Sequence, residues 1–380
     1  MVARIYFVPG MFGFGRLAGY DYFHHVREAL EWRFADAGQR VETLVVPTPP
    51  TSSLRFRARM LAKAIQKSAG ADDGPIHLVG HSTGGLDIRL LLSPTTDLKT
   101  DDPERLSWRH RVQSAVTLST PHYGTPLAGY FATVSGTRVL YALSLLTVVS
   151  LTVGEPSLAV FAKLLAGLGG AEQLLSADTR LLSRGTELVL RFVERDGREE
   201  IVQFLSKVRV DQGGVVQIMP EAMDLFNAAA EDDARVRYGC VVTSAPPPKA
   251  MRFARRIRSP YAAATAAMYS TLYQFTAQAP EMYPYATPST EELAMLRSGI
   301  QHEVSERSND GVVPTLSGLW GELLWCGEGD HLDVLGHFSD DERPRVHLDW
   351  MTSGAHFTRQ RFASLMDAIA RFQLRDPGPV

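Results

Sequence analysis

Apolar and polar positions along the first 120 residues follow two alternating rhythms. Short, largely apolar runs, Arg4 to Val8, "VETLVVP" (41–47), "PIHLVGH" (75–81) and "RVQSAVTLST" (111–120), predict buried strands. Between them, apolar residues recur three and four apart. Phe23, Val26, Leu30 and Phe34 form one stripe, and Leu54, Ala58, Leu61 and Ile65 form a second that stops at Gly70. A third helix is expected from Gly84 to Leu92. Strand and helix in strict alternation predict an α/β fold with a doubly wound, mostly parallel sheet, whose sites gather at the carboxyl ends of the strands.

After residue 127 the rhythm changes. Residues 128–231 read as mainly helical, with a strongly apolar stretch at 137–170, and are expected to be an insertion into a core made of 1–127 and 232–380. Alternation returns at "VRYGCVVTSAPPP" (236–248), and a smaller excursion spans roughly 249–305. Val139 to Val153 is an almost unbroken apolar run. It falls short of the ~20 residues that cross a bilayer. Glu155-Pro156 interrupts it before a second apolar segment, so 139–168 predicts a helical hairpin, either a lid over a cleft or a permanently buried pair.

Composition narrows the function classes. The chain has 380 residues, 45% of them hydrophobic, enough for a sizeable core, and a formal charge of −3, which leaves no electrostatic footprint for nucleic acid. Two cysteines, Cys240 and Cys326, lie far apart with no metal-ligand spacing. The first residues lack the basic segment and cleavage site of a secretion signal, so a cytoplasmic protein, or one exported without such a signal, is expected.

Within this frame "HLVGHSTGGLDIRLLL" (77–92) places Ser82 between a predicted strand and a predicted helix, flanked by Gly80, Gly84 and Gly85. A strand-to-helix elbow needs small neighbours at those positions, and it lifts a serine hydroxyl above the sheet as a nucleophile. A hydroxyl attacks only when a base takes its proton and an acid orients that base. His331 follows an apolar strand and a Gly-containing loop, and His337 is the alternative base. Asp310, in the Asn-Asp-Gly turn of "ERSNDGVVP", is the expected acid, with Asp330 and Asp333 as poorer choices beside His331 in sequence. Two backbone donors for the developing oxyanion are expected at Thr83, after the nucleophile, and at Met11, in the loop that follows the first strand. Phe12 and Phe14 are expected on the acyl side of the cleft, with Leu143 and Leu146 of the hairpin facing substrate.

Taken together, "VPGMFGFG", "VGHSTGG", "STPHYGTPLA", "MPEAMDLFN", "SNDGVVP" and "DHLD" make the chain resemble the α/β-hydrolases, in particular the true bacterial lipases that lack the first strands of the larger fold. The resemblance implies a carboxylic-ester hydrolase acting on lipid, without a catalytic cofactor, with nucleophile Ser82, acid Asp310 and base His331. The apolar hairpin at 139–168, where it is read as a lid, adds an expected peripheral membrane contact. Two departures stand out. Pro9-Gly10 replaces the family's His-Gly ahead of the oxyanion residue. Asp333 matches one ligand of the family's structural calcium, whereas "TPSTEEL" (287–293) offers no second aspartate, so no metal is expected. An acyltransferase using the same residues, and a lipid-binding protein with a silent site, remain open alternatives.

Overall fold

The computed structural model describes residues 2–11, 13, 16–17, 20–70, 72–98, 103–133, 136–137, 139–141, 143–145, 147, 186–187, 190, 195–248, 260–278, 285–337 and 350–375. Six strands, β1 (Ala3–Val8), β2 (Val41–Val45), β3 (Ile76–His81), β4 (Val112–Leu118), β5 (Arg237–Ser244) and β6 (Glu322–Glu328), form one sheet in the order β2-β1-β3-β4-β5-β6. Every pairing in it is parallel. The interior strands β1 and β3 are buried at every position. This is why they read as mostly apolar runs rather than as alternating ones. The edge strand β2 is only half-buried along its length.

The helices are α1 (His24–Asp36), α2 (Leu54–Ser68), α3 (Thr83–Leu92), α4 (Pro126–Phe131), α5 (Arg195–Val210), α6 (Gly213–Gln217), α7 (Pro220–Ala229), α8 (Pro260–Thr276), α9 (Thr290–Gly299) and α10 (Arg359–Gln373). Parallel crossovers are right-handed. The step from β1 to β2 runs one way along the sheet and the steps to β3 and β4 run the other, so α1 covers one face while α2 and α3 cover the opposite one. The packing agrees: α1 lies against α10, and α2 against α3. The two expected stripes are the buried faces, Val26, Leu30 and Phe34 on α1 and Leu54, Ala58, Leu61 and Ile65 on α2. The direction of winding reverses between β1 and β3. A crevice therefore opens at their carboxyl ends, where Pro9-Gly10 and Ser82 emerge side by side.

Between β4 and β5 the described residues form helices and no strand. Of the hairpin expected at 139–168, only 139–141, 143–145 and 147 are described. Val139, Leu140, Leu143 and Leu145 are buried in the main core there, and Trp350 donates its indole N–H to Thr147 at 3.2 Å. Phe12, Phe14 and Leu146 lie outside the described residues. Among the described residues no helix is long and apolar enough to cross a membrane.

Candidate active site

Ser82 sits between β3 and α3 with φ 54° and ψ −131°. A non-glycine residue in that region is strained, a condition that persists only where the surroundings over-determine it. They do so here by close approach. A side chain at Gly84 would start 2.1 Å from the Val8 carbonyl oxygen. One at Gly80 would start 2.5 Å from the Gly85 nitrogen, and one at Gly10 2.5 Å from Ser82 Cβ. Three backbone segments thus meet at distances that only glycine allows. Thr120, just past β4, braces the turn by donating its hydroxyl to the Ser82 carbonyl at 2.8 Å. Gly10 lies against Ser82 itself, 3.1 Å from Oγ to the position of its missing Cβ. Met11, the next residue, and Thr83, the first residue of α3, are both buried.

The acid and the imidazole come from the far side of the sheet. The Asn309-Asp310-Gly311 turn is self-bonded: Asn309 Oδ1 accepts the Gly311 N–H, and Asp310 Oδ1 accepts those of Val312 and Val313 at 2.9 and 2.7 Å. Gly311 has φ +97°, which a glycine adopts without cost. One carboxylate oxygen is therefore engaged by the backbone, and the other, Oδ2, lies 2.8 Å from His331 Nδ1. A carboxylate only accepts, so Nδ1 carries the proton and Nε2 keeps its lone pair. Nε2 is buried with no hydrogen-bond partner among the described residues. His331 and Asp310 are 1% and 2% exposed, so the pair operates away from bulk water.

The motif "STPHYGTP" ties these two halves together. Besides Thr120 on the elbow, Thr125 donates to the Val312 carbonyl in the acid loop at 2.7 Å, and Ser317 donates to Gly124 at 2.7 Å while accepting the Tyr123 N–H. "MPEAMDLFN" has a parallel task. Asn227 accepts from Arg89 of α3 and donates to the His122 carbonyl. On the other flank, the buried Arg57 of α2 donates to Asp87 of α3 and to the Pro9 carbonyl at 2.6 Å, which fixes the peptide that leads into Gly10 and Met11. Burial pushes the Asp87 carboxyl up to about 6, and the adjacent Arg57 opposes that shift.

The structure thus brings Asp310 and His331 into direct contact and places Gly10, Met11, Ser82 and Thr83 together at the switch point. His337 is buried, and it is His331 that bonds to Asp310. Asp333 accepts the Asp330 N–H at 2.7 Å and so closes the loop that carries His331. Among the described residues, three potential metal ligands come together at His24, His25 and Glu28 on α1, with ligand atoms within 4.8 Å of one another. Three residues the sequence did not single out are tied to the site: Arg57, Tyr22 and His81. His81 is fully buried, with its ring centroid 4.7 Å from that of His331. Its place next to Ser82 was the signal available, although it lies too early in the chain to be the base.

No family model matches the chain. Over 94 residues it is 37% identical to a triacylglycerol lipase of Vibrio cholerae, a match that covers 25% of this chain and 28% of that protein. It is similar in structure to lipase 1 from Pelosinus fermentans, with a TM-score of 0.51 and 16% identity over 98% of this chain and 99% of the other. The Staphylococcus hyicus lipase aligns over 98% and 96% at a TM-score of 0.46 and 16% identity. The sheet order and the similarity to the Pelosinus structure show the α/β-hydrolase fold, as the sequence resemblance implies.

Proposed function

We propose that this chain hydrolyses carboxylic esters of lipids through an acyl-enzyme. The observation that carries the reading is the His331–Asp310 pair, buried, with the lone pair of Nε2 unclaimed, at the same end of the sheet as a serine held in a strained elbow. In this reading Ser82 Oγ attacks the ester carbonyl as His331 Nε2 takes its proton. Asp310 orients the ring and stabilises the imidazolium, and the N–H groups of Met11 and Thr83 hold the oxyanion. His331 then protonates the leaving alcohol. Water, deprotonated by the same nitrogen, releases the acid and frees Ser82. The similarity to a triacylglycerol lipase over part of the chain and to lipase 1 from Pelosinus fermentans supports lipid as the substrate class. Val139, Leu140, Leu143 and Leu145, which the core buries, are read as part of a lid that exchanges those contacts for lipid.

The test is labelling by a fluorophosphonate. Wild-type protein is expected to gain one phosphonyl group on the peptide that contains Ser82 and to hydrolyse a short p-nitrophenyl ester. Ser82→Ala is expected to be folded, unlabelled and slower by about 10⁴–10⁶-fold. Substantial turnover by pure Ser82→Ala would overturn the reading.

A further inference from the structure

His81 is joined to the base by more than proximity. Its Nε2 lies 2.8 Å from the main-chain carbonyl oxygen of His331, 250 positions away in the chain. A carbonyl oxygen only accepts, so Nε2 carries the proton. Nδ1 must then accept, and the Tyr22 hydroxyl, 2.9 Å away, donates to it. The His331 carbonyl therefore sets the tautomer of His81, and the Tyr22 hydroxyl satisfies the remaining nitrogen of the ring that holds the backbone of His331. The Asp310 contact fixes how the His331 ring is turned; it does not fix how far the histidine's backbone stands from the nucleophile. His81 does, because it ends the central strand β3 and is covalently bonded to Ser82. One hydrogen bond and one residue of chain connect the nucleophile's strand to the base's loop.

We propose that His81 is a positioning residue that sets the separation of Ser82 and His331 by donating a hydrogen bond from its imidazole to the His331 carbonyl. The proposal rests on the ester-hydrolase reading above. The groups that face His81 are Tyr22 from the segment before α1, and His331 and His337 from the loop after β6. Burial and the neighbouring imidazoles hold its own titration well below the usual histidine range. It therefore stays neutral while His331 shuttles the proton, and two adjacent imidazolium ions never form.

The experiment compares His81→Phe, which keeps a ring and loses the donor, with His81→Gln, whose amide N–H reaches the position of Nε2. Each is read on a soluble short-chain p-nitrophenyl ester and by the pH dependence of fluorophosphonate labelling. Displacing a reacting group by an ångström costs about 10²-fold. For His81→Phe a kcat loss of about 10–100-fold is expected with KM little changed, together with a moved midpoint in the labelling profile. His81→Gln is expected to recover most of the loss. Placed on His331→Ala, His81→Phe is expected to add nothing, because it acts through His331. Tyr22→Phe, which removes a single oxygen, is expected to slow labelling by about 2–5-fold and keeps the proposal testable if His81→Phe fails to fold. Wild-type kcat in His81→Phe, equal losses in the Phe and Gln variants, a full extra loss over His331→Ala, or wild-type labelling in Tyr22→Phe would each overturn it. Absence of labelling and turnover in the wild type would instead remove the ester-hydrolase reading beneath it.

Discussion

Asp310 divides its carboxylate by atom, with Oδ1 for the turn and Oδ2 for His331. Asp310→Asn retains the carbonyl that the turn needs and presents an amide N–H to Nδ1, which drives the proton to the wrong imidazole nitrogen. The variant is expected to melt close to wild type and to lose about 10⁴-fold in kcat, the consequence of the wrong tautomer in comparable triads. Asp330, two positions before Leu332, has a different character. Fully buried, with Ser353 as a partner, its carboxyl is pushed up to about 7 by desolvation and by the neighbouring Asp310. The unfolded chain ionises it near 3.8, so between roughly pH 4 and 7 the folded protein binds the extra proton. Stability from this group is complete below that window and is lost as pH rises through it. Asp330→Asn mimics the protonated form, so its melting temperature relative to wild type is expected to rise from pH 5 to pH 8; thermal melts across that range check it. Asp310 was legible because an Asn-Asp-Gly turn is a local pattern. The burial of Asp330 and the contact of His81 with residue 331 were not, because each depends on chain that lies far off in sequence.

At the scale of elements, the turn between β3 and α3 is a junction of backbones. Gly84→Ala would set a methyl group 2.1 Å from the Val8 oxygen, so β1 and α3 must part. A loss of about 1–3 kcal/mol in denaturant unfolding is expected from such overpacking, with a fall in activity as the elbow shifts. Arg57 joins α2, α3 and the loop after β1. Arg57→Met leaves Asp87 buried and alone, which costs about 3–5 kcal/mol. Adding Asp87→Leu is expected to restore much of the melting temperature. It should not restore kcat, since the Pro9 carbonyl has still lost its donor. The strands and helices themselves were readable because each is a short periodic segment whose buried face carries the pattern: β1 and β3 as apolar runs, α1 and α2 as stripes. The ties between them were not readable. Thr120, Thr125 and Ser317 are ordinary loop residues until the fold sets them against the elbow and the acid turn.

Across the whole molecule, the doubly wound sheet was legible from the alternation of elements, because right-handed crossovers leave few ways to wind it. The order in which β5 and β6 extend it was not, since long helical segments separate them from β4. The core that includes Leu140, Leu143 and Leu145 bears on the lid reading. Uncovering those side chains and Val139 in water costs roughly 1.5–3 kcal/mol each, on the order of 6–12 kcal/mol together. That is comparable to the entire stability of a typical domain. Lipid covers the same surface without that cost, so activity on an ester is expected to climb steeply once its concentration passes the solubility limit. A smooth saturation curve through that limit would exclude the lid. The parallel sheet also has a consequence in time. β1 to β4 lie within the first 118 residues, so the strand that bears Ser82 acquires both neighbours early, whereas His331 emerges from the ribosome about 250 residues after His81. At 5–20 residues per second that interval is on the order of 10–50 s. In the proposed mechanism the nascent chain carries throughout it a serine with no base to activate it, and until β5 emerges it exposes β4 as an open edge. A translation product interrupted before β5 is therefore expected to be inert toward ester and prone to pair with its own kind.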